Sequence, residues 1–453
     1  MRFCIPLTLV FAVTSTVVAA PAKPNIVFIL ADDLGYGDLG CYGQKKIRTP
    51  NIDRLAAEGI RFTDAYSGST VCAPSRCCLM TGLHTGHARI RGNKRGATLL
   101  PEDRTVAKLL QEAGYATACI GKWGLGDPGE LGVPSKQGFD TFFGYLNHGH
   151  AHNYYPEHLW RHEEKVPLKN IGKDGVASER VEYAPDLFLK ESLTFIETNK
   201  AKPFFLYFAS TIPHANNERT KATGEGNEIP SDEPYSKEDW PQPERNKAAM
   251  ITRFDADVGK IMAKLKELDI EKNTLIVFTS DNGPHKEGGN DPKFFNSSGP
   301  FRGIKRSLTD GGIRVPFIVR WVGTTKSGTV SDHVTAFWDF LPTVAELTGM
   351  KIASDLDGLS IAPIIVGTGN AKVHEFMYWE FHEGGTKQAV RDGQWKGIRL
   401  SPNGPLELYD LINDVGEVKN VANDHPMIIE RITEYLKTAR TESKEFPIVQ
   451  PKR

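Results

Sequence analysis

The segment Asn25-Ile26-Val27-Phe28-Ile29-Leu30 is a continuous apolar run, and the acidic pair Asp32-Asp33 follows it closely. Its unbroken hydrophobicity and its β-branched residues indicate a strand that is buried on both faces, as in a parallel sheet covered by helices. A similar run at 203–208 and another at 275–278 predict two more such strands. The run at 275–278 is also followed by polar residues, Asp281-Asn282.

Helical patterns lie between these strands. Apolar residues recur at spacings of three and four from Ile251 to Leu268, which predicts an amphipathic helix. Further helices are predicted at 105–112 and 186–198, and further strands at 115–120 and 316–320. This alternation indicates an α/β fold, with a mixed, largely parallel sheet sandwiched by helices.

The pattern changes near residue 372. Short strands are predicted at 376–379, 388–391, 395–398 and 406–411, with a helix at 427–439. Together they indicate a small C-terminal antiparallel sheet with a helix.

Between the strands of the larger sheet, residues 215–245 are polar and rich in proline, so we expect a long excursion on the surface.

The composition excludes some classes of partner. The 453 residues carry 55 basic and 56 acidic side chains, a balance that argues against a surface built for nucleic acid or for coating a membrane. After residue 20, no stretch is apolar enough to span a bilayer.

Residues 1–20 have a charged start, an apolar centre and a small-residue end, which predicts a signal peptide and a secreted or periplasmic protein. A retained N-terminal anchor is the alternative.

Six cysteines are present. Cys4 lies in the predicted signal peptide, and no spacing indicates that Cys41, Cys77, Cys78 or Cys119 form pairs. The chain is therefore not a disulfide framework.

Cys72 begins the run Cys72-Ala73-Pro74-Ser75-Arg76-Cys77-Cys78-Leu79-Met80-Thr81-Gly82. Proline near the start and glycine at the end predict a helix over this run. Cys72 would then lie at a helix N-terminus, where backbone N–H groups and the helix dipole favour an anion. Arg76, one turn later, can add its guanidinium to the same place. The alternative is a buried cysteine that only packs under a loop.

The two polar pairs that follow the strands are candidate metal ligands. In a parallel sheet the carboxyl ends of the strands share one edge, so Asp32-Asp33 and Asp281-Asn282 are expected to converge there. Three carboxylates and an amide oxygen suit Ca²⁺, with Mg²⁺ as the alternative, better than Zn²⁺. Each pair taken alone is also a common turn sequence.

The Cys72 run resembles the Cys-x-Pro-Ser-Arg-x-x-x-[Leu/Met]-Thr-Gly motif of the type I sulfatases, an arylsulfatase-like family of the alkaline phosphatase superfamily. Other segments resemble motifs of that family and occur in the same order, from residue 24 to about 420. They include Gly121-Lys122-Trp123-Gly124-Leu125-Gly126 and Arg302-Gly303-Ile304-Lys305, together with the segments at 32–38, 49–56, 213–214, 280–283 and 311–316.

The resemblance implies an alkaline-phosphatase-like catalytic domain at 22–371 and a C-terminal subdomain at 372–453. It implies a sulfuric ester hydrolase that acts on a sulfated saccharide. A maturation enzyme would oxidise Cys72 to formylglycine (3-oxoalanine), whose hydrate is the nucleophile. Ca²⁺ would be held by the four polar residues at the strand ends, Asp32, Asp33, Asp281 and Asn282, and residue 72 would also contact it.

The resemblance also implies roles for basic residues. Arg76, with the metal, would favour the ionised nucleophile and hold the sulfate. Lys122 and Lys305 would offset charge on the sulfate oxygens and the bridging oxygen. His214 would give a proton to the leaving alcohol. The alternatives are solvated surface charges for the two lysines and a structural histidine for His214.

Gly124 departs from the family, which has histidine there. His148, His150 and His152 in the next loop are candidates to replace it, and we assign His152 to substrate binding. Their spacing of two could also indicate a zinc cluster, although no clear further ligand accompanies them. Two other functions stay open, namely a phosphonate or phosphate ester hydrolase of the same superfamily and a catalytically silent, glycan-binding relative.

Overall fold

The computed structural model describes residues 23–352 and 354–451. The predicted signal peptide, residues 1–20, lies outside them and stays a prediction. The described residues form these strands, numbered in chain order: β1 Asn25–Asp32, β2 Ile60–Phe62, β3 Ala65–Tyr66, β4 Ala116–Lys122, β5 Thr141–Tyr145, β6 His158–Arg161, β7 Glu164–Pro167, β8 Ile171–Lys173, β9 Val176–Glu179, β10 Phe204–Pro213, β11 Thr274–Ser280, β12 Phe317–Trp321, β13 Thr329–Ser331, β14 Thr335–Ala336, β15 Met377–Phe381, β16 Lys387–Asp392, β17 Trp395–Arg399 and β18 Leu406–Asp410.

The α-helices of the described residues are α1 Pro50–Ala57, α2 Cys72–Thr81, α3 Val106–Glu112, α4 Ala184–Asn199, α5 Asn217–Thr223, α6 Gln242–Glu267, α7 Asp310–Ile313, α8 Phe340–Thr348, α9 Ala362–Val366 and α10 Pro426–Tyr435. In the part of the chain that the structure describes, no helix has both the length and the apolar character needed to span a bilayer.

The main sheet has the strand order β13-β2-β12-β11-β1-β10-β4-β5-β6-β7. At its centre, β1 lies between β10 and β11 and is parallel to both, and β4 and β5 continue the parallel arrangement. The predicted mixed, largely parallel sheet is therefore confirmed. β12 runs antiparallel to β11, because the chain between them contains only the short helix α7 and turns back at the same edge.

β1 shows why the sheet is covered on both faces. Ile26, Phe28 and Leu30 pack into the core on one face, and Val27 and Ile29 pack into the core on the other. Helices α2, α3 and α8 contribute to the first core, and α1, α4 and α6 to the second. The strand alternates between two buried faces, so its side chains from Ile26 to Ala31 are all apolar.

The hairpins β6–β7 and β8–β9 were not predicted from the sequence. Their strands are short and largely exposed, with charged residues such as those of Glu164–Pro167 and Val176–Glu179. Because they bury little apolar surface, they leave no alternating hydrophobic pattern. Most residues of the predicted surface excursion at 215–245 are exposed or half-buried, and the segment also carries α5.

The predicted C-terminal antiparallel sheet is confirmed, with strand order β15-β16-β17-β18 and α10 packed against it. A buried polar cluster joins this sheet to the larger one. Lys396 of β17 is fully buried and contacts both Asp310 of α7 and Glu417. Trp379 of β15 donates its indole N–H to the Ser67 carbonyl oxygen at 3.0 Å.

Lys396→Met is expected to lower the free energy of unfolding by about 3–5 kcal/mol, because it leaves the carboxylates of Asp310 and Glu417 buried without their cation. Chemical denaturation measures the loss. Lys419→Met is the matched control, since Lys419 is exposed nearby and its replacement should change stability by no more than about 0.5 kcal/mol. Equal effects of the two substitutions would contradict a structural role for the buried cluster.

Candidate active site

The two polar strand ends meet at one edge of the sheet. β1 and β11 are adjacent and parallel, so Asp32-Asp33 and Asp281-Asn282 lie side by side. The backbone N–H of Asp33, at φ 65°, donates to Asp281 Oδ1 at 3.0 Å. Asn282 Nδ2 donates to Asp33 Oδ1 at 2.7 Å. The sequence therefore placed these four side chains correctly, although they are about 250 positions apart.

Three carboxylates of this cluster are fully buried, and their oxygens lie within 4.8 Å of one another. A different cation lies on each of them. Lys122 Nζ donates to Asp32 Oδ2 at 2.7 Å, and Lys305 Nζ donates to Asp33 Oδ2 at 2.7 Å. Arg76 donates from Nε and Nη2 to Asp281 Oδ2, at 3.0 and 2.8 Å. The cluster is thus an alternating set of buried acids and bases.

The cluster also has oxygen atoms left to bind a cation. Asp32 Oδ1 and Asn282 Oδ1 are buried and have no hydrogen-bond partner among the described residues, an unfavourable state for polar atoms. Burial, together with the charge of Asp32, raises the pKa of Asp281 to about 7 although Arg76 opposes the shift. Close oxygen donors, two of them without a hydrogen-bond partner among the described residues, fit a hard divalent cation such as Ca²⁺. These four residues themselves contain no sulfur or imidazole ligand for Zn²⁺.

Cys72 lies at the first position of α2, as the sequence predicted. Gly82 ends the helix in the left-handed conformation, at φ 72°, with its N–H donated to the Cys78 carbonyl. Cys72 is 3% exposed, and its Sγ lies within 4.8 Å of ligand atoms of both Asp32 and His214. Burial raises the pKa of the Cys72 thiol even though Lys122 is close, so an unmodified thiol is not prepared to act as a thiolate.

Asn93 is a site residue that the sequence did not reveal. Its Nδ2 lies 3.9 Å from Cys72 Sγ, and its Oδ1 accepts the backbone N–H of Ala73 at 3.0 Å. A single asparagine in a polar loop gives no motif, so only the fold shows that it contacts the first turn of α2. It fixes the orientation of residue 72.

Arg76 lies one turn after Cys72 and is fully buried. Besides the two bonds to Asp281, its Nη1 donates to the Lys122 carbonyl oxygen at 2.6 Å. The guanidinium therefore ties α2 to the ends of β11 and β4. Lys122 is also fully buried and Lys305 is 6% exposed, which excludes solvated surface charges for both lysines.

His214 and Lys305 form a pair beside Asp33. His214 Nδ1 lies 2.7 Å from the Ala215 carbonyl oxygen, and because a carbonyl only accepts, the ring carries its proton on Nδ1. Its Nε2 then accepts from Lys305 Nζ at 3.1 Å. Burial, followed by the charge of Lys305, lowers the pKa of His214 well below its usual range. The proton of this pair that faces Asp33 is therefore on Lys305.

The three histidines of the following loop diverge. His152 stacks on His214, with ring centroids 4.8 Å apart, and its Nδ1 lies 3.0 Å from Glu218. His150 packs against Tyr145, and His148 lines a cavity together with Gly124. In the described ranges, no group of three metal-ligating side chains includes any of these histidines, so the alternative of a zinc cluster is wrong for the described structure.

Two further polar residues border the His214–Lys305 pair and were missed. His285 Nε2 lies 2.9 Å from the Pro213 carbonyl oxygen. Because a carbonyl oxygen only accepts, His285 Nε2 is the donor. Glu287 lies 3.5 Å from Lys305 Nζ. Both follow Asp281-Asn282 within six residues, and this closeness was the one signal available in the sequence.

The chain is similar in sequence and in fold to known proteins. The family model described as Sulfatase matches residues 24–350, and a model described as N-sulphoglucosamine sulphohydrolase, C-terminal, matches residues 302–444. The chain is 35% identical to N-acetylgalactosamine-6-sulfatase of Rattus norvegicus, over 83% of this chain and 71% of that protein.

Two other similar proteins extend over nearly the whole chain. N-acetylgalactosamine-6-O-sulfatase of Bacteroides thetaiotaomicron is 30% identical, over 92% of this chain and 93% of its own. The crystal structure of Ps i-CgsB in complex with k-i-k-neocarrahexaose superposes with a TM-score of 0.79 at 30% identity, and the match covers 92% of each chain.

Proposed function

Because the chain belongs to the sulfatase family, we propose that it removes sulfate from a sulfated saccharide, with a nucleophile derived from Cys72 and a bound Ca²⁺. The chain is a sulfatase. The observation that carries the finer proposal is the convergence of three buried carboxylates and three buried cations beside Cys72. We propose in addition a catalytic domain at 22–371, a C-terminal subdomain at 372–453 and a secreted or periplasmic location.

The substrate class rests on the relatives. Two of them are named N-acetylgalactosamine-6-sulfatases, and Ps i-CgsB was crystallised with a neocarrahexaose. A sulfated saccharide is therefore the substrate class that we propose for this chain.

The donor set fits Ca²⁺, and the residues that would hold it are Asp32, Asp33, Asp281 and Asn282, with residue 72 beside them. A divalent cation supplies positive charge that favours an ionised nucleophile and offsets charge on the substrate. Formylglycine at position 72, made by a maturation enzyme, supplies an aldehyde hydrate as the nucleophile.

The side chains of the chain itself prepare the place for the sulfate group. Asn93 orients residue 72 through the first turn of α2, and Arg76 fixes the carboxylate of Asp281. Lys122 and Lys305 bring two ammonium groups to the same buried region, where fixed positive charge stabilises negative charge that develops on oxygen. Because these groups are held in place before the substrate arrives, they need little reorganisation.

Protonation of the leaving alcohol is assigned to the His214–Lys305 pair. Neutral His214 has no proton on Nε2. Lys305 Nζ lies 3.1 Å from this nitrogen and carries the proton that the pair can donate. A proton passed from Lys305 to His214, or given by Lys305 directly, would neutralise the departing oxygen. His152, stacked on His214, would contact the saccharide at the same side.

His214→Ala is expected to lower kcat/KM on a sulfated sugar by roughly 10²–10⁴-fold, the usual contribution of general acid catalysis. It should cost far less on an aryl sulfate, because a phenolate leaves without a proton and a sugar alkoxide does not. The measurement compares both substrates in wild type and variant.

His425→Ala serves as the control, because His425 packs against Trp395 in the C-terminal subdomain. This substitution should leave both rates unchanged. Equal losses on the two substrates in His214→Ala would remove His214 from the protonation step and leave Lys305 or His152 as the donor.

The proposed function is tested with enzyme produced in a host that makes formylglycine. Turnover of defined sulfated saccharides, with little turnover of the matching phosphate esters, is the expected result. Preference for phosphate or phosphonate esters would instead favour the first alternative. An unmodified Cys72 peptide from such a host, with saccharide binding and no hydrolysis, would favour a silent glycan-binding relative.

A further inference from the structure

A cavity of about 270 Å³ opens beside the Cys72 site. Its wall includes Ala73, which follows Cys72 directly, and Gly124, which lies two positions after Lys122. The in-register pairing of β4 with β5, in which Lys122 faces Tyr145, brings the residues after both strands together. Gly124 N–H then donates to the Leu146 carbonyl at 2.9 Å, so His148 comes to lie next to Gly124.

Gly124 keeps this cavity open. Its φ of +81° disfavours any other residue, and a side chain there would meet only His148, whose Cβ is 4.0 Å from the position of the added Cβ. Gly96, Gly126 and Gly149 also line the cavity. The volume lies just below the roughly 300–1,000 Å³ of typical small-molecule sites, which suits one substituted sugar ring better than an oligosaccharide.

The charge of the cavity is positive. Lys94 and Arg95 are exposed and line it, with Asp127 as the carboxylate among the lining residues. Lys94 and Arg95 directly follow Asn93, whose side chain contacts Cys72 Sγ, and the two cations are therefore anchored close to the reacting residue.

We propose that this cavity binds a second sulfate group of the substrate, with Arg95 as its ligand, so that the enzyme prefers saccharides that carry more than one sulfate. The inference rests on the proposed function. A guanidinium presents a planar pair of N–H donors that matches two sulfate oxygens. The catalytic cations Arg76, Lys122 and Lys305 lie on carboxylates, whereas Arg95 is exposed on the wall of an open cavity. Lys94 Nζ donates to the Glu445 carbonyl oxygen at 3.1 Å.

Binding and turnover are measured with two pairs of probes, the 6-sulfates and the 4,6-disulfates of N-acetylgalactosamine and of galactose. Binding to Cys72→Ala protein, followed by calorimetry in Ca²⁺ buffer, does not depend on hydrolysis. We expect a disulfate to bind about 10–100-fold more tightly than its monosulfate, as for a hydrogen bond to a charged group. Arg95→Ala, combined with Cys72→Ala, should remove most of this preference, and Arg95→Lys should keep part of it.

Arg104→Ala is the matched control, since Arg104 is exposed and outside the cavity lining, and it should leave the preference intact. No preference for either disulfate, or a loss in Arg95→Ala that is equal for monosulfate and disulfate, would overturn the proposal. Failure of the proposed function is distinguishable, because the matured wild type would then bind a disulfate preferentially without hydrolysing any sulfate ester.

Discussion

Cys72→Ala is expected to abolish sulfate ester hydrolysis, with a fall in kcat of about 10⁴–10⁶-fold, the range seen when a nucleophile is removed from an otherwise intact site. Alanine has no atom that maturation could convert into an aldehyde, while the carboxylates and cations around it stay in place. Active wild type should yield a Cys72 peptide lighter than the unmodified one by the difference between a thiol and an aldehyde. Kinetics and mass spectrometry of that peptide measure the two effects.

Cys41→Ala is the control for loss of a thiol, because Cys41 is half-buried near the start of α1 and contacts Asp53 through its backbone N–H. It should keep full activity. Cys72→Ser should be inactive in a host whose maturation enzyme accepts only cysteine. Unimpaired hydrolysis by Cys72→Ala would exclude residue 72 as the nucleophile and, with it, the formylglycine proposal.

The parts of the site that the sequence predicted are those held by local signals. β1 and β11 are apolar on both faces, so their ends at Asp32 and Asp281 could be located and assigned to one edge of the sheet. Pro74 marked the start of α2 and Gly82 its end, which placed Cys72 in the first turn of the helix. Each of these inferences needs only the hydrophobic pattern or the conformational preference of one residue.

The parts that were missed depend on contacts between distant segments. An apolar strand looks the same in either direction, so the antiparallel direction of β12 was not encoded in its own pattern. Asn93 acts through the first turn of α2. The proximity of His148 to Gly124 depends on the register between β4 and β5. Local sequence patterns contain no information on these contacts between distant segments.

Removal of the metal is expected to abolish activity, and added Ca²⁺ should restore it. Asp281→Asn should lower kcat/KM by at least about 10³-fold, equivalent to roughly 4 kcal/mol of transition-state stabilisation. The substitution keeps an oxygen for the Asp33 N–H but removes the charge that faces the cation and Arg76. Because a bound ion stabilises the folded state, Ca²⁺ at about 100 times its Kd should add roughly 2.7 kcal/mol to the unfolding free energy of wild type.

Asp357→Ala separates this site from the potential ligand group of His84, His87 and Asp357, which shares no residue with it. If the cation binds at the end of β1, the Tm of Asp357→Ala should still rise with Ca²⁺, whereas the Tm of Asp281→Asn should not. The reverse pattern would place the ion at the histidine group. Stoichiometric Zn²⁺ without Ca²⁺ or Mg²⁺ in the purified protein would contradict the oxygen-ligand argument itself. Asp32 Oδ1 and Asn282 Oδ1 are buried and have no hydrogen-bond partner among the described residues, and as hard donors they favour Ca²⁺.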